Sequence, residues 1–259
     1  MKQPENKKII LMAGKGSSTN IVYQALDKTV GVHTVILEEY ESKKLFLKRR
    51  VKKLGYLRVA GQVFFILIVV PVLRYFSARR IKETLVAEGL SEARIPEEKT
   101  MEVSSVNTKE VAELLVDIQP DVVIINGTRI ISKKILSVIK CPVINIHAGI
   151  TPMYRGVHGA YWALINNDME NCGVTVHLVD EGVDTGNIIY QAIISVDRKD
   201  NFVTYPLKQL AAGIPLLLRA VKNALTDTLS SYERPGKSVQ WYHPTIWEYL
   251  YHRFFRRIK

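Results

Sequence analysis

The sequence predicts a mostly parallel, doubly wound α/β sheet, with a basic helical insertion and a short helical tail. Three observations carry that expectation. Apolar runs of strand length alternate with segments of helical period, a glycine-rich turn follows the first run, and 259 residues are enough for one large core or two small ones. Hydrophobic residues at 47% and charged residues at 24% exclude a disordered or low-complexity chain.

The elements follow in order. Residues 7–13, KKIILMA, read as a buried strand, followed by GKGSST and a helix over 19–26. Residues 32–38, VHTVILE, form the next strand. The alternation then breaks for about fifty residues. Residues 88–107 read as loop with a short strand, TKEVAELLVDIQ as an amphipathic helix, and 121–126 as a buried strand ending at Gly127. A short helix over 132–138, a strand over 142–146 and a helix over 157–166 come next. Strands at 173–180 and 187–195 flank the acidic turn EGVDTG, and a long helix covers 204–225. The tail from 227 carries Trp241, Trp247 and YLYHRFFRRIK, and reads as a short docked helix. On this reading 1–226 form the principal domain, with the insertion at 42–87. In such sheets ligands sit in the crevice at the carboxyl ends of the strands.

Charge marks the insertion. Lysine and arginine number 36 against 25 acids, a formal net charge of +11, and residues 42–82 hold twelve cations with no acid. Within them lies the apolar run GQVFFILIVVPVL. Its uninterrupted part, 63–73, is eleven residues, shorter than the roughly 20 that a membrane span needs. Three readings stay open: a buried helix packed on the core or a partner, an interfacial helix on anionic lipid, and a phosphate-attracting hairpin. The last is weakened by the few aromatic residues available for base stacking, so no specific nucleic-acid partner is expected. A homodimer contact through this segment fits equally. At the amino terminus the run IILMA is too short for a signal peptide or a spanning helix. Two cysteines, Cys141 and Cys172, exclude a disulfide scaffold and suit a reducing cytoplasm.

Chemistry concentrates in two places. Gly14, Gly16 and Ser17 open a strand-to-helix turn suited to an anion, yet GKGSSTN lacks the third glycine of a dinucleotide fingerprint and the Gly-Lys-Ser/Thr of a P-loop. It is either a general anion site or a tight turn. The second place is VINIHAGITPMYRG, where Asn145 and His147, two apart at a strand end, face one side of the sheet. Asp184 follows the next strand and can bring a carboxylate beside them. An amide, an imidazole and a carboxylate suit acyl transfer, with a substrate amine or water as acceptor. Tyr154 and Arg155 lie in a loop where Arg155 either clamps a phosphate or rests in solvent. His158 and His177 add imidazoles, but their separations lack a metal-ligand spacing, and no metal is expected.

These motifs resemble the formyltransferases that take a formyl group from 10-formyltetrahydrofolate. NIHAGITPMYRG resembles that family's NxHxSxLPxYRG signature, and GVTVHLVDEGVDTGNIIYQ its GxTxHxVxxxxDxGxIxxQ block. Ala148, Gly149 and Thr151 depart from the usual pattern. The resemblance implies a formyltransferase-like Rossmann-type fold, Asn145 and His147 stabilising the oxyanion, and Asp184 orienting a water or the imidazole. It further implies a folate pocket at Arg129, Ile130, Ile131, Asp180, Glu181, Gly182 and Val183. A ribonucleotide acceptor is weakened by the longer first loop. A tRNA acceptor is weakened by a tail too short for a β-barrel domain, and a hydrolase by the missing amino-terminal regulatory domain. The family member implied by this elimination is a sugar N-formyltransferase acting on a nucleotide-linked amino sugar.

Overall fold

The computed structural model describes residues 7–259, so the first six residues, part of the amino-terminal stretch considered for a leader, lie outside the described residues. Seven strands form one sheet in the order β3-β2-β1-β4-β5-β7-β8. β1 (Ile9–Gly14), β2 (Thr34–Glu38), β3 (Thr100–Val103), β4 (Val122–Asn126) and β5 (Val143–His147) run parallel, while β7 (Gly173–Leu178) and β8 (Ile188–Ile193) close one side antiparallel. β1 is apolar throughout because both faces are covered. Ile9, Leu11 and Ala13 pack toward α1 (Ser17–Val30) and α8 (Tyr205–Leu225), and Ile10 and Met12 toward α5 (Lys109–Ile118) and α6 (Lys133–Val138).

Local chemistry starts the helices where the sequence indicates. The Thr108 and Ser132 side chains accept from the backbone N–H of Val111 and Ile135 at the starts of α5 and α6. α9 (Ile246–Phe255) opens with a capping box between Thr245 and Glu248, which gives the tail its expected docked helix. A two-residue β9 (Gln240–Trp241) precedes it and pairs with β6 (Arg155–Gly156).

The basic segment folds as α2 (Lys43–Leu54), α3 (Tyr56–Phe64), a π-helical turn at Phe65–Val69 and α4 (Val70–Ala87). This corrects the estimate of its length. The helix runs unbroken over Tyr56–Ala87, 32 residues, and is long and apolar enough by length and composition to cross a membrane. Counting only the uninterrupted apolar run missed this, because the helix continues on either side of it. The buried-helix reading is corrected too. One edge packs, through Phe65 against Phe202 and Tyr249 with ring centroids 4.8 and 5.1 Å apart, while Leu57, Leu67, Tyr75 and Phe76 are exposed.

An imidazole pair joins this segment to the tail and to α7 (Gly159–Ile165). His158 Nε2 and His243 Nδ1 are 3.0 Å apart, sharing one hydrogen, with the Arg50 charge nearby. Burial, then the neighbouring positive charges, push His158 well below its ordinary range; burial and Arg50 push His243 down to about 4. The unfolded chain takes up these protons near pH 6.5, the folded chain only at lower pH. The stabilisation is therefore complete above 6.5 and is lost as pH falls toward 4, at up to about 1.4 kcal/mol per pH unit per imidazole. We expect the melting temperature to fall across that window and His243→Gln to flatten the fall. An equal slope in the variant would assign the acid sensitivity elsewhere.

Candidate active site

β5 ends in the middle of the sheet, and its alternation turns Asn145 and His147 to the same side. Across the antiparallel pairing Asn145 stands opposite His177, and His147 opposite Thr175. The loop after β7 then returns Asp184 to the pair. Asp184 has φ 51°, a left-handed conformation that an aspartate tolerates better than most residues.

The contacts form one network. His177 Nδ1–H donates to the Leu178 carbonyl at 2.7 Å, which leaves Nε2 to accept from Asn145 Nδ2 at 3.0 Å. The other Asn145 amide hydrogen reaches Asp184 Oδ1 at 3.3 Å. His147 Nε2–H donates to the Tyr154 carbonyl at 2.8 Å, turning Nδ1 toward Asp184 Oδ2 at 3.4 Å. The Gly156 N–H donates to the same oxygen at 2.9 Å. Burial opposes ionisation of Asp184, but the neighbouring His147 and His177 imidazoles and the Gly156 amide outweigh it. Its carboxyl is held well below the usual carboxylate range.

These residues line a cleft of about 830 Å³ at the carboxyl ends of the strands. Arg129, Ile130, Ile131, Asp180, Gly182 and Val183, all named from the sequence, stand on its wall. Glu38, buried at the end of β2, braces that wall by accepting from the backbone N–H of Val106 and Arg129 at 2.9 and 2.8 Å. The Arg129 guanidinium turns back to the Glu39 carbonyl, at 2.8 Å. Glu181 is not on the cleft wall; its carboxylate pairs with Lys133 at 3.2 Å.

Other expected residues are placed elsewhere. The Tyr154 side chain is buried and its hydroxyl donates to Asp168 at 2.8 Å, so the residue serves the site through its carbonyl. Arg155 pairs in β6, is half-buried and donates to the Val183 carbonyl at 2.8 Å, bracing the Asp184 loop. Gly14, Gly16 and Ser17 are also off the cleft wall. A Cβ on Gly14 would come within 2.5 Å of the Gly127 carbonyl oxygen, Thr19 closes the turn on the Gly14 carbonyl at 2.6 Å, and Lys15 is paired with Glu102 at 2.8 Å. This is the geometry of a tight turn. His158, weighed as a metal ligand, pairs with His243 instead.

Sequence reasoning missed one wall. Phe46, Arg49 and Arg50 of α2 and Gln240, Trp241 and Tyr242 of the tail line the cleft. Arg50 sits between the rings of Phe46 and Tyr242, 5.1 and 5.5 Å from their centroids, and its Nε donates to Gln62 Oε1 at 3.0 Å. The cationic run was visible, but its partners lie nearly two hundred residues away.

The sequence model described as Formyl transferase matches residues 77–221, more than half of the chain. The chain belongs to the formyl transferase family. It is 36% identical over 109 residues to the methionyl-tRNA formyltransferase of Thermodesulfovibrio yellowstonii, covering 42% of this chain and 35% of that one. To the Chlorobium chlorochromatii enzyme of the same name it is 29% identical over 168 residues, 60% and 52% of the two chains. The chain thus spans about a third to a half of these curated relatives. Among solved structures, a phosphoribosylglycinamide formyltransferase from Anaplasma phagocytophilum matches at TM-score 0.56 and 19% identity, covering 91% of this chain and 98% of that one. An N-formyltransferase from Helicobacter canadensis, solved with folinic acid and dTDP-3-aminofucose, matches at TM-score 0.52 and 18% identity, covering 90% and 70%. At these identities the structural likeness shows the fold.

Gly149 keeps the His147 ring in place. A Cβ there would collide with the Tyr154 carbonyl and stand 2.6 Å from His147 Nε2. Gly149→Ala is expected to cost about 1–3 kcal/mol in urea unfolding, the usual range for overpacking. A loss within error would show that the Tyr154 carbonyl yields freely.

Proposed function

We propose that this protein transfers a formyl group from 10-formyltetrahydrofolate to a primary amine, and that the amine is carried by a nucleotide-linked sugar. The convergence of Asn145, His147 and Asp184 in one cleft carries the first part. The amine attacks the formyl carbon and the carbonyl oxygen becomes an oxyanion, for which Asn145 and His147 are the donors. Asn145 Nδ2 and His147 Nδ1 now face Asp184 at 3.3 and 3.4 Å. Contacts of that length are weaker than ordinary N–H···O bonds and yield to a developing negative charge. Asp184, held strongly acidic, is a poor store for a proton. It orients the imidazole and the water that passes the amine proton to the departing tetrahydrofolate nitrogen.

The folate would lie against the loops 126–131 and 180–184, where the braced backbone offers peptide groups to a pterin. Support for an anionic, base-bearing acceptor comes from the opposite wall. Arg50 supplies charge there, beside Arg49 paired with Glu41, and Phe46, Trp241 and Tyr242 supply rings. The Helicobacter canadensis neighbour, solved with a nucleotide-linked amino sugar, fits the same reading.

The test follows tetrahydrofolate release with nucleotide-linked amino sugars, glycinamide ribonucleotide, methionyl-tRNA and no amine. Release that depends on an amino sugar is expected. Release only with another amine would move the acceptor class, release without amine would mean hydrolysis, and none from folded protein would remove the formyl-transfer reading. Asn145→Ala is expected to lower kcat about 10²–10³-fold, as loss of an oxyanion donor does, and His147→Ala to abolish turnover. Near-normal turnover by a folded His147→Ala protein would refute the assignment. Arg50→Ala is expected to raise KM for a phosphorylated acceptor about 10-fold or more while leaving KM for the folate unchanged. Equal KM values for the acceptor would take Arg50 out of its binding.

A further inference from the structure

The helix over Tyr56–Ala87 has its polarity reversed. Its packed edge carries Gly61, Gln62, Ser77 and Thr84, all buried, beside Val59 and Phe65. Its outer side carries Leu57, Phe64, Leu67, Ile68, Tyr75 and Phe76, each between 52% and 79% exposed. A helix that packs on a core in water puts its apolar stripe inward, and each large apolar side chain left outside forgoes about 1.5–3 kcal/mol of burial. The neighbouring helix α9 behaves alike, exposing Trp247, Tyr251, Phe254 and Phe255. The two helices meet where Gly61 admits the Trp247 ring, since a Cβ at Gly61 would collide with it.

We propose that the outer face of these two helices lies on a lipid bilayer containing anionic headgroups. Charge decides this occupant over a second copy of the chain. Residues 42–82 hold twelve cations and no acid. Lys43, Lys44 and Lys52 stand exposed before the apolar stripe and Arg74 within its far end, while Lys53 rests on Tyr242 and Arg58 pairs with Glu248. Two copies meeting through this face would bring like charges together, whereas an acidic leaflet attracts each such cation by about 1 kcal/mol. The outward Tyr75 and Tyr251, 79% and 55% exposed, have the amphipathic rings that settle at headgroup depth.

The helix lies on the bilayer and does not cross it, although its length would suffice. Its packed edge is tied to the sheet domain along its course. Gln62 Nε2 donates to the His243 carbonyl at 2.7 Å, Asn201 Nδ2 to Ser77 Oγ at 2.7 Å, and Arg80 Nε to the buried carboxylate of Asp200 at 3.0 Å. Crossing would break all three and strip the Arg80 partner from a buried charge.

The experiment sediments the full chain with vesicles of phosphatidylcholine alone, or with roughly a third phosphatidylglycerol, at about 0.1 M NaCl. We expect binding to the anionic vesicles at least about 10-fold tighter than to the neutral ones, weakening with salt, with a blue shift of tryptophan emission. The double variant Leu67→Glu, Phe76→Glu should lose that binding about 10-fold or more while melting like the wild type. Should it fail to fold, Lys43→Glu with Lys44→Glu, both exposed, replaces it and is expected to weaken anionic binding alone. No sedimentation, or equal binding to both vesicles, overturns the proposal. Resistance to alkaline carbonate extraction would overturn it in favour of a span. A dimer in solution that the Leu67→Glu, Phe76→Glu variant dissociates, without vesicle binding, would give the face to a second copy.

Discussion

The carboxylate of Asp184 is the point on which the site depends. It is buried, and an unpaired buried carboxylate would be costly, so its surroundings have to supply charge and hydrogen bonds. The hydrogen bonds come from Asn145 in β5 and the Gly156 amide in β6, and the imidazoles of His147 at the end of β5 and His177 in β7 stand 3.4 and 3.7 Å away. Satisfying one group thus fixes the relative positions of a parallel strand, an antiparallel strand and the loop between them. The same contacts set the ring of His147 and the amide of Asn145, because both face this one residue. Structure and candidate chemistry therefore share a single electrostatic requirement.

The sheet and much of the cleft were legible in the sequence. β1 and β4 are largely apolar on both faces and end at glycines, so strand length and the flanking Gly14 and Gly127 identified them. Asn145 and His147 were legible because a period of two is the simplest geometric statement a strand makes. The contribution of His177 to the same network was not: its place is set by antiparallel register, opposite Asn145 across β5 and β7, and register over thirty-two residues leaves no local mark. Tyr154 misled for a related reason. A tyrosine in a motif draws attention to its hydroxyl, whereas the site uses its carbonyl, which every residue possesses.

The long helix shows a different limit. Apolar runs are counted by their interruptions, but a helix is sustained by backbone hydrogen bonding, and Arg74 within it breaks the run without breaking the helix. Nor does the run reveal which side packs. With apolar residues all round its middle, burial is decided by where small and hydrogen-bonding side chains fall, at Gly61, Gln62, Ser77 and Thr84.

Arg50 connects this segment to the cleft. It belongs to α2, lines the cleft, donates to Gln62 on the packed edge of α3, and lies against Tyr242 of the tail. Gln62 in turn donates to the His243 carbonyl, and the His243 ring pairs with His158 at the start of α7. A buried guanidinium, a buried amide and two neutral imidazoles are each unstable alone in such a place. Held in sequence, the Arg50 Nε, the Gln62 amide and the two imidazoles each find a partner in the next. The cleft wall from residues 46–50 and the helix with its apolar side outward are therefore not independent additions to the sheet. Gln62 both seats the helix on the His243 carbonyl and receives Arg50 at the cleft, so displacing this turn of the helix displaces Arg50.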